Sequence, residues 1–393
     1  MSIFFLFLIL LPCSFSNPLL LQPLQPPSLC LDGSPYAIYY AKGDINNILI
    51  SFWGGGLCEG RNKTSFFSDC LARSKTELGS SKSWPESKLE ESGFLSNNME
   101  ENPNFFNWHK FDFPYCDGSF HQGYVEEGVE VEGERIFIRG RRNVEEGIKF
   151  IINTIDLRTI KRVVVTGVST GGYATFSWIT NIEEIFKGIN KDIEVYGIPD
   201  SGFFVDYYNY ETKDRDYYIM NKLFYEIVNK ESPPLTLACL KDHPNEQDLC
   251  LFPEYIFQYV KIPLLILQAG YDSSNLYETV GLHCVDGNTL ANCDADSAHY
   301  AHIFKVYQNE LIKQGIKKNK NFSVWAPACV THGFEDKVHS SDWEVPMGSG
   351  FHVNKAVEKF LVNPFEQFVE IEDIKWPENK GCANQESALK IKL

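Results

Sequence analysis

Short apolar runs separated by longer mixed segments occupy the chain from about residue 30 onwards. The runs are rich in β-branched and aromatic residues, which is typical of strands buried on both faces of a sheet. The segments between them are long enough to form helices. Strands and helices that alternate in this way predict an α/β architecture, with a mostly parallel central sheet flanked by helices.

Three of the predicted strands run directly into glycine-containing turns. They cover residues 47–53, 162–166 and 262–268. Because loops beyond the carboxyl ends of parallel strands meet in one crevice, we expect the chemistry of the protein to lie in these turns. Residues 322–325 are predicted to form the last strand of the sheet.

The first 29 residues do not follow this pattern. Residues 1–16 hold an uncharged apolar run that ends in small residues, which predicts a signal peptide cleaved near Ser16. That run is too short to cross a bilayer of about 30 Å, and no other stretch is apolar for long enough, so we expect no stable membrane insertion. Residues 17–29 are Pro-rich and are predicted to be a leader before a single disulfide-stapled α/β domain over residues 30–393.

The cysteines and two N-glycosylation sequons also indicate export from the cell. Eleven cysteines, less Cys13 of the predicted signal peptide, leave ten, so five disulfides can form. No Cys-x-x-Cys pair occurs, so an oxidising environment explains the cysteines better than a zinc site. The tripeptides beginning at Asn62 and Asn321 match the acceptor sequence for N-glycans. We therefore expect a secreted glycoprotein.

The charge balance excludes one class of partner. The chain has 36 Lys and Arg against 52 Asp and Glu, which gives a formal net charge of -16. An acidic surface repels the phosphate backbone, so nucleic acid is not an expected partner. Most of these charges are expected to keep the surface soluble, and we expect a monomer.

The run Gly167-Val168-Ser169-Thr170-Gly171-Gly172 matches the nucleophile elbow, a sharp strand-to-helix turn that exposes a serine hydroxyl. The predicted strand 162–166 precedes it, and residues 173–180 contain neither Gly nor Pro and can form the helix. The five-residue pattern alone is weak because it also arises by chance. Its place after a strand favours the catalytic interpretation, with Ser169 as nucleophile of an α/β-hydrolase fold.

A serine nucleophile needs donors for the oxyanion, and a glycine run supplies a candidate for them. Gly54-Gly55-Gly56 follows the predicted strand 47–53, and residues without a Cβ let backbone N–H groups approach a substrate closely. A plain tight turn is one alternative and a phosphate-binding loop is another. No Lys follows at the Walker spacing and no Gly-x-Gly-x-x-Gly is completed, so the oxyanion role is favoured.

The acid and the base should follow the serine in that order along the chain. Asp272 and Asp200 each lie just beyond a predicted strand, and spacing alone does not separate them. His332 is the favoured base because it lies in the loop beyond the predicted last strand. The other histidines late enough in the chain to qualify are His299, His302, His339 and His352.

The order and span of several motifs resemble the pectin acetylesterase family, which also contains the Notum-type carboxylesterases that remove a fatty acyl group from a secreted signalling protein. The resemblance covers nearly the whole mature chain. The motifs that carry it are Asp32-Gly33-Ser34-Pro35, Trp53-Gly54-Gly55-Gly56-Leu57-Cys58, Asn102-Pro103-Asn104-Phe105-Phe106-Asn107-Trp108, Tyr115-Cys116-Asp117-Gly118, Ile136-Phe137-Ile138-Arg139-Gly140, the elbow, Asp200-Ser201-Gly202-Phe203-Phe204, Cys250-Leu251-Phe252-Pro253, Tyr271-Asp272-Ser273 and Ala328-Cys329-Val330-Thr331-His332.

The resemblance implies a role for each part of the site. It implies a triad of Ser169, Asp272 and His332, with Asp200 in a supporting motif. It also implies an oxyanion hole made by the backbone N–H groups of Gly55, Gly56 and Thr170, with no metal or organic cofactor. The implied disulfides are Cys30 with Cys116, Cys58 with Cys70, and Cys329 with Cys382. Cys239, Cys250, Cys284 and Cys293 would pair among themselves in an order that is left open.

The implied activity is that of a secreted serine carboxylesterase acting on O-acetyl groups of an extracellular or cell-wall polysaccharide. Deacylation of a lipidated protein is the alternative within the same class. Val168, Thr170 and Leu57 differ from the residues of the plant enzymes, which affects the expected substrate rather than the chemistry. From another class, an inactive module that binds a glycan or a lipid would keep the fold without turnover.

Overall fold

The structure, a computed structural model, describes residues 17–88, 92–335, 343–379 and 382, so the predicted signal peptide lies outside the described residues. The strands are β1 Leu19–Pro23, β2 Ala37–Ala41, β3 Asn47–Phe52, β4 Ser87–Lys88, β5 His109–Phe113, β6 Val129–Val131, β7 Glu134–Ile136, β8 Arg162–Val168, β9 Glu194–Asp200, β10 Leu264–Leu267, β11 Tyr271–Asp272, β12 Phe322–Ala326, β13 Val330–Thr331 and β14 Val369–Ile371. The helices are α1 Lys63–Ser74, α2 Gly140–Thr154, α3 Thr170–Ile189, α4 Asp216–Phe224, α5 Leu237–Asp242, α6 Pro253–Ile256, α7 Ala295–Lys318 and α8 Val353–Val362.

Within these ranges, one ten-stranded sheet forms the centre of the molecule, in the order β14-β12-β10-β9-β8-β3-β5-β2-β1-β4. The strands from β14 to β5 pair in parallel, and the remaining pairs, β5 with β2, β2 with β1 and β1 with β4, are antiparallel. The predicted α/β fold with a mostly parallel sheet is confirmed. Parallel strands end at the same edge, so the turns after β3, β8 and β10 share one side of the molecule.

Alternation along the central strands gives the sheet a core on each face. In β8, Val163 and Val165 pack with helices α2, α3 and α7, whereas Val164 faces the opposite core, to which α8 contributes. Both faces are therefore buried, which explains why these strands are almost continuously apolar in the sequence. No helix in the described part of the chain is both long and apolar enough to cross a bilayer.

A third apolar cluster lies beyond the carboxyl edge of the sheet. It joins α1 and α4 to Leu57, which comes directly after the glycine run 54–56, and to Phe204, which follows β9. The segment between β9 and β10 contains the short helices α4, α5 and α6. These elements form a wall next to the turns that were expected to carry the chemistry.

The two ends of the domain differ from the sequence prediction. Residues 17–29 are not a separate leader, because β1 pairs with β2 and β4 and the Leu19 side chain is buried in the core. β12 is not the last strand of the sheet, since β14 pairs with it in parallel. The prediction was wrong at both ends because both strands are short, because β1 ends in a proline, and because each is stabilised by its neighbours in the sheet.

Five disulfides connect the ten cysteines from Cys30 onwards. The pairs implied by the resemblance are present: Cys30–Cys116, Cys58–Cys70 and Cys329–Cys382. The order that the sequence left open is Cys239–Cys250 and Cys284–Cys293. Each of these last two pairs closes a short loop: the cysteines are 11 positions apart in the first pair and 9 positions apart in the second.

Candidate active site

Ser169 lies at a sharp turn between β8 and α3. Its backbone has φ 59° and ψ -123°, a conformation that a residue with a side chain rarely adopts. The turn is packed so closely that a Cβ on Gly171 would overlap the carbonyl of Phe52, and one on Gly172 would overlap the carbonyl of Asp200. The glycines of the motif are therefore required by close packing of α3 on the sheet. They leave Ser169 half-exposed at the wall of a cavity.

His332 and Asp272 are brought together by a second, very small sheet. β11 and β13 pair in parallel with Asp272 opposite Thr331, so the next residue, His332, stands beside the carboxylate. His332 Nδ1 lies 3.0 Å from Asp272 Oδ2 and 3.1 Å from Oδ1. Asp272 is fully buried, and its Oδ1 also accepts a hydrogen bond from the Asn275 N–H at 2.9 Å. A carboxylate can only accept, so Nδ1 carries the proton and Nε2 is the basic nitrogen.

Residues 332–335, which follow β13 and which we name the histidine loop, pack directly against the serine turn. A Cβ on Gly333, which has φ 84°, would lie 2.8 Å from Val168 Cγ2, so the residue after His332 touches the residue before Ser169. Ser169 and His332 both line the same cavity. The predicted nucleophile and the predicted base therefore share one site.

Asp200 has a different position from Asp272. Its Oδ2 accepts the N–H groups of Phe334 and Glu335 at 2.6 and 2.7 Å, and its backbone carbonyl accepts the Ser169 N–H at 2.9 Å. Ser201 Oγ accepts the Gly333 N–H at 2.9 Å. Asp200 thus connects the serine turn to the backbone of the histidine loop, whereas the carboxylate beside the His332 ring is that of Asp272.

The remaining late histidines lie elsewhere. His299 and His302 are on α7, where His302 Nδ1 contacts the Tyr271 hydroxyl at 3.0 Å. His352 is the residue that precedes α8. His339 lies outside the described residues.

The glycine run after β3 crosses in front of Ser169. A Cβ on Gly54 would lie 2.7 Å from Ser169 Cβ and 3.4 Å from its Oγ, so only glycine permits this approach. Gly55 and Gly56 have φ of 149° and 69°. Thr170 Oγ1 donates to the Gly56 carbonyl at 3.1 Å. Among the described residues, no protein acceptor is bound to the amide N–H of Gly55 or of Gly56.

The cavity at this site has a volume of about 710 Å³. Its apolar lining consists of Trp53, Leu57, Phe94, Leu95, Val168, Phe204 and Tyr217. Its ionisable lining consists of Glu59, Arg73, Glu278, His332 and Glu335, the last two belonging to the histidine loop. An apolar pocket with a few convergent polar groups is the usual form of a small-molecule site.

Two carboxyl groups on one wall of the cavity influence each other. The Glu59 side chain is open to the cavity, but the surrounding protein displaces much of the bulk water around it. This desolvation, together with the nearby carboxylates of Glu278 and Asp69, raises the pKa of Glu59 to about 7. Arg73 acts in the opposite direction on the same group. Burial also raises the pKa of Glu278, and His283 counters that shift. The wall is therefore less negatively charged near neutral pH than its composition suggests.

The fold and the arrangement of serine, histidine and carboxylate define the α/β-hydrolase class. Residues 16–383 match the pectinacetylesterase family, and the chain belongs to that family. It is 24% identical over 370 residues to pectin acetylesterase 5 of Arabidopsis thaliana, covering 91% of this chain and 82% of that protein. It is also 24% identical over 325 residues to the palmitoleoyl-protein carboxylesterase notum1a of Danio rerio, covering 80% of this chain and 60% of that protein. The protein is a carboxylic ester hydrolase.

A solved structure has the same fold. The Wnt deacylase Notum from Drosophila superposes with a TM-score of 0.79 at 21% identity, covering 93% of this chain and 100% of that one. At this identity the likeness describes the architecture alone. The chain spans less than two thirds of the length of the zebrafish relative, so the activities of such longer proteins do not transfer directly.

Sequence reasoning missed Arg73, which lines the cavity from α1. Its guanidinium donates to the carbonyls of Gly55 and Leu57, residues that lie 18 and 16 positions earlier in the chain. The one signal that could have indicated it is the short Cys58–Cys70 disulfide, which ties α1 to the glycine run.

Proposed function

We propose that the protein hydrolyses acyl esters with Ser169 as nucleophile, His332 as base and Asp272 as the group that orients the imidazole. The observation that carries the proposal is the pairing of His332 Nδ1 with the buried Asp272 carboxylate beside the turn that presents Ser169. Backbone N–H groups of Gly55, Gly56 and Thr170 are proposed to receive the oxyanion. This is the division of roles that acyl transfer by serine hydrolases requires.

The proposed reaction has two halves. Ser169 Oγ attacks the ester carbonyl carbon while His332 Nε2 takes its proton, and the negative charge develops on the carbonyl oxygen. The bond to the alcohol oxygen breaks, and His332 returns the proton to the leaving alcohol. Water then attacks the acyl group on Ser169, gives a proton to His332 and releases the free acid. The proton returns to Ser169, so the enzyme is regenerated without a metal or an organic cofactor.

For the substrate, we propose O-acetyl groups on an extracellular or cell-wall polysaccharide. The carboxylates of Glu59, Glu278 and Glu335 can accept hydrogen bonds from sugar hydroxyls, and the rings of Trp53 and Tyr217 can pack on apolar sugar faces. The relatives named pectin acetylesterases support the same choice.

A longer acyl chain on a protein is a second candidate, favoured by a different part of the cavity. Leu57, Phe94, Leu95 and Phe204 are buried side chains that give the cavity an apolar wall, and its volume of about 710 Å³ exceeds what an acetyl group fills. Burial of apolar surface adds about 0.8 kcal/mol for each methylene group. The relatives named palmitoleoyl-protein carboxylesterases are consistent with this reading.

A chain-length series of p-nitrophenyl esters separates the two candidates, and we expect kcat/KM to be highest for acetate. A maximum at eight or more carbons would instead establish the apolar wall as the acyl site and favour the acylated protein. Ser169→Ala protein serves as the background control in every assay. If no ester in the series is hydrolysed above that background, both candidates fail.

We further propose that residues 1–16 direct export and that the mature chain is a monomeric, glycosylated protein. The five disulfides support this, because such bonds persist in oxidising compartments. Asn62 is the more accessible sequon because it is exposed, whereas Asn321 Nδ2 donates to the Lys261 carbonyl at 2.9 Å. N-terminal sequencing of protein collected from the medium is expected to begin near residue 17. A chain that stays in the cell with Met1 at its terminus would contradict export.

A further inference from the structure

The glycine run in front of Ser169 is held from behind by side chains. His121 Nε2 donates to the Trp53 carbonyl at 2.9 Å, and Thr170 Oγ1 donates to the Gly56 carbonyl at 3.1 Å. The other two held carbonyls, those of Gly55 and Leu57, both accept from Arg73. Among the described residues, this one guanidinium donates two of the four side-chain hydrogen bonds to the backbone carbonyls of the run, which we name the oxyanion loop, residues 53–57.

The geometry of the peptide bond gives these contacts a consequence on the opposite side of the loop. In a planar trans peptide, the C=O of one residue and the N–H of the next point in opposite directions. A donor that fixes the Gly55 carbonyl therefore also fixes the direction of the Gly56 N–H. That N–H is one of the donors proposed for the oxyanion. Arg73 thus acts on a reacting group without having to touch the substrate.

A glycine-rich loop needs such a contact more than other loops do. Gly55 and Gly56 have φ of 149° and 69°, and with no Cβ they have many alternative conformations to sample. The guanidinium has a planar, forked set of donors that can reach two carbonyls at once, which an ammonium group cannot do in the same geometry. Atoms Nη1 and Nη2 would both lie 4.0 Å from a Cβ on Gly56, so the guanidinium stands directly beside this residue.

Arg73 is itself held in place. It belongs to the last turn of α1, and α1 is joined to the end of the oxyanion loop by the Cys58–Cys70 disulfide. Its guanidinium carbon lies 5.6 Å from the centre of the buried Tyr115 ring, a distance at which a cation is attracted to the ring face. The arginine is thus packed between a ring and the loop rather than extended into solvent.

We propose that Arg73 is a positioning residue that preorganises the oxyanion hole by holding the Gly55 and Leu57 carbonyls. The proposal rests on the proposed function, because it assigns the Gly56 N–H to the oxyanion. Donors aimed in advance at the developing charge lower the barrier without improving binding of the ground state. The role therefore predicts a change in kcat that leaves KM nearly unchanged.

Steady-state kinetics of Arg73→Ala on the best ester of the chain-length series test the proposal. We expect kcat to fall about 100-fold, comparable to the loss of one oxyanion-hole donor, while KM changes by less than about threefold. Arg61→Ala is the matched control, because this substitution removes the same charge. Arg61 is exposed and forms only a 3.6 Å ion pair with Asp216. The control is expected to retain kcat within about twofold.

A second variant keeps the test decisive if Arg73→Ala folds poorly. Arg73→Lys retains the charge and the packing over Tyr115 but only one donor group, and we expect an intermediate loss of kcat at unchanged KM. Guanidinium at millimolar concentration is expected to restore part of the kcat of Arg73→Ala and none of that of Arg61→Ala. Full kcat in Arg73→Lys, or a raised KM with normal kcat in Arg73→Ala, would overturn the positioning role. Ser169→Ala distinguishes failure of the positioning role from failure of the proposed function. If wild type and Ser169→Ala are equally active, the proposed function fails.

Discussion

Replacement of Ser169 by alanine is expected to lower kcat for a short nitrophenyl ester by roughly 10⁴- to 10⁶-fold while the protein remains folded. The hydroxyl is the only part of the proposed nucleophile that is removed, and the backbone at φ 59° is imposed by the packing of Gly171 and Gly172 rather than by the side chain. Circular dichroism and the thermal midpoint should therefore match those of the wild type. Initial rates at saturating ester give the loss directly.

A second serine on the same cavity provides the control for this experiment. Ser92 lines the cavity and is exposed, and its alanine variant is expected to keep kcat within about twofold. Labelling with a fluorophosphonate should mark wild type and Ser92→Ala and leave Ser169→Ala unmarked, because only an activated serine reacts. Equal labelling of all three proteins would refute Ser169, and failure to label any of them would favour the inactive binding module.

Asparagine at the two candidate acids is expected to give opposite patterns of activity and stability. Asp272→Asn should lower kcat about 10⁴-fold with little loss of stability. An amide in place of the carboxylate can donate to His332 Nδ1, and the proton of the neutral imidazole then moves to Nε2, where it cannot accept the serine proton. The two oxygens of Asp272 lie 3.0 and 3.1 Å from that nitrogen, so this side chain is placed to set the tautomer.

Asp200→Asn should instead act mainly on stability. Its Oδ2 accepts the N–H groups of Phe334 and Glu335, and the loss of this charge from a buried position is expected to lower the free energy of unfolding by about 1–3 kcal/mol. We expect its kcat to fall much less than that of Asp272→Asn, because the His332 ring keeps its partner. Urea unfolding and kcat of both variants are compared side by side. A larger kcat loss in a stable Asp200→Asn than in Asp272→Asn would reverse the assignment of the two acids.

The elbow could be predicted from sequence because every requirement on it is short in range. A strand of apolar residues, a serine between glycines and a segment free of Gly and Pro occur within about twenty consecutive residues. The glycines are required because the turn contacts the ends of β3 and β9, where a Cβ would overlap backbone atoms. These contacts form because α3 packs back on the sheet directly after the turn. The strands that carry the site were likewise visible, since burial on both faces makes them apolar throughout.

Spacing along the chain could not choose between Asp200 and Asp272. Asp200 is the last residue of β9, and Asp272 comes five residues after the end of β10, so both lie at the carboxyl ends of neighbouring parallel strands. What separates them is the pairing of β11 with β13, which sets Asp272 beside His332 and leaves Asp200 to the backbone of residues 334 and 335. A two-residue strand pair has no periodic pattern from which it could be predicted.

By itself, the sequence determined the fold class, the serine turn, the glycine run and the need for an oxidising environment, because these depend on local composition and on the count of cysteines. The tertiary structure decided which acid faces His332, which cysteines pair in the two short loops, that residues 19–23 join the sheet, and that Arg73 reaches the carbonyls of the oxyanion loop. Each of these depends on groups that are brought together only when separate elements pack. The energy of such contacts depends on direction and distance in space, and neither is encoded in the spacing of residues along the chain.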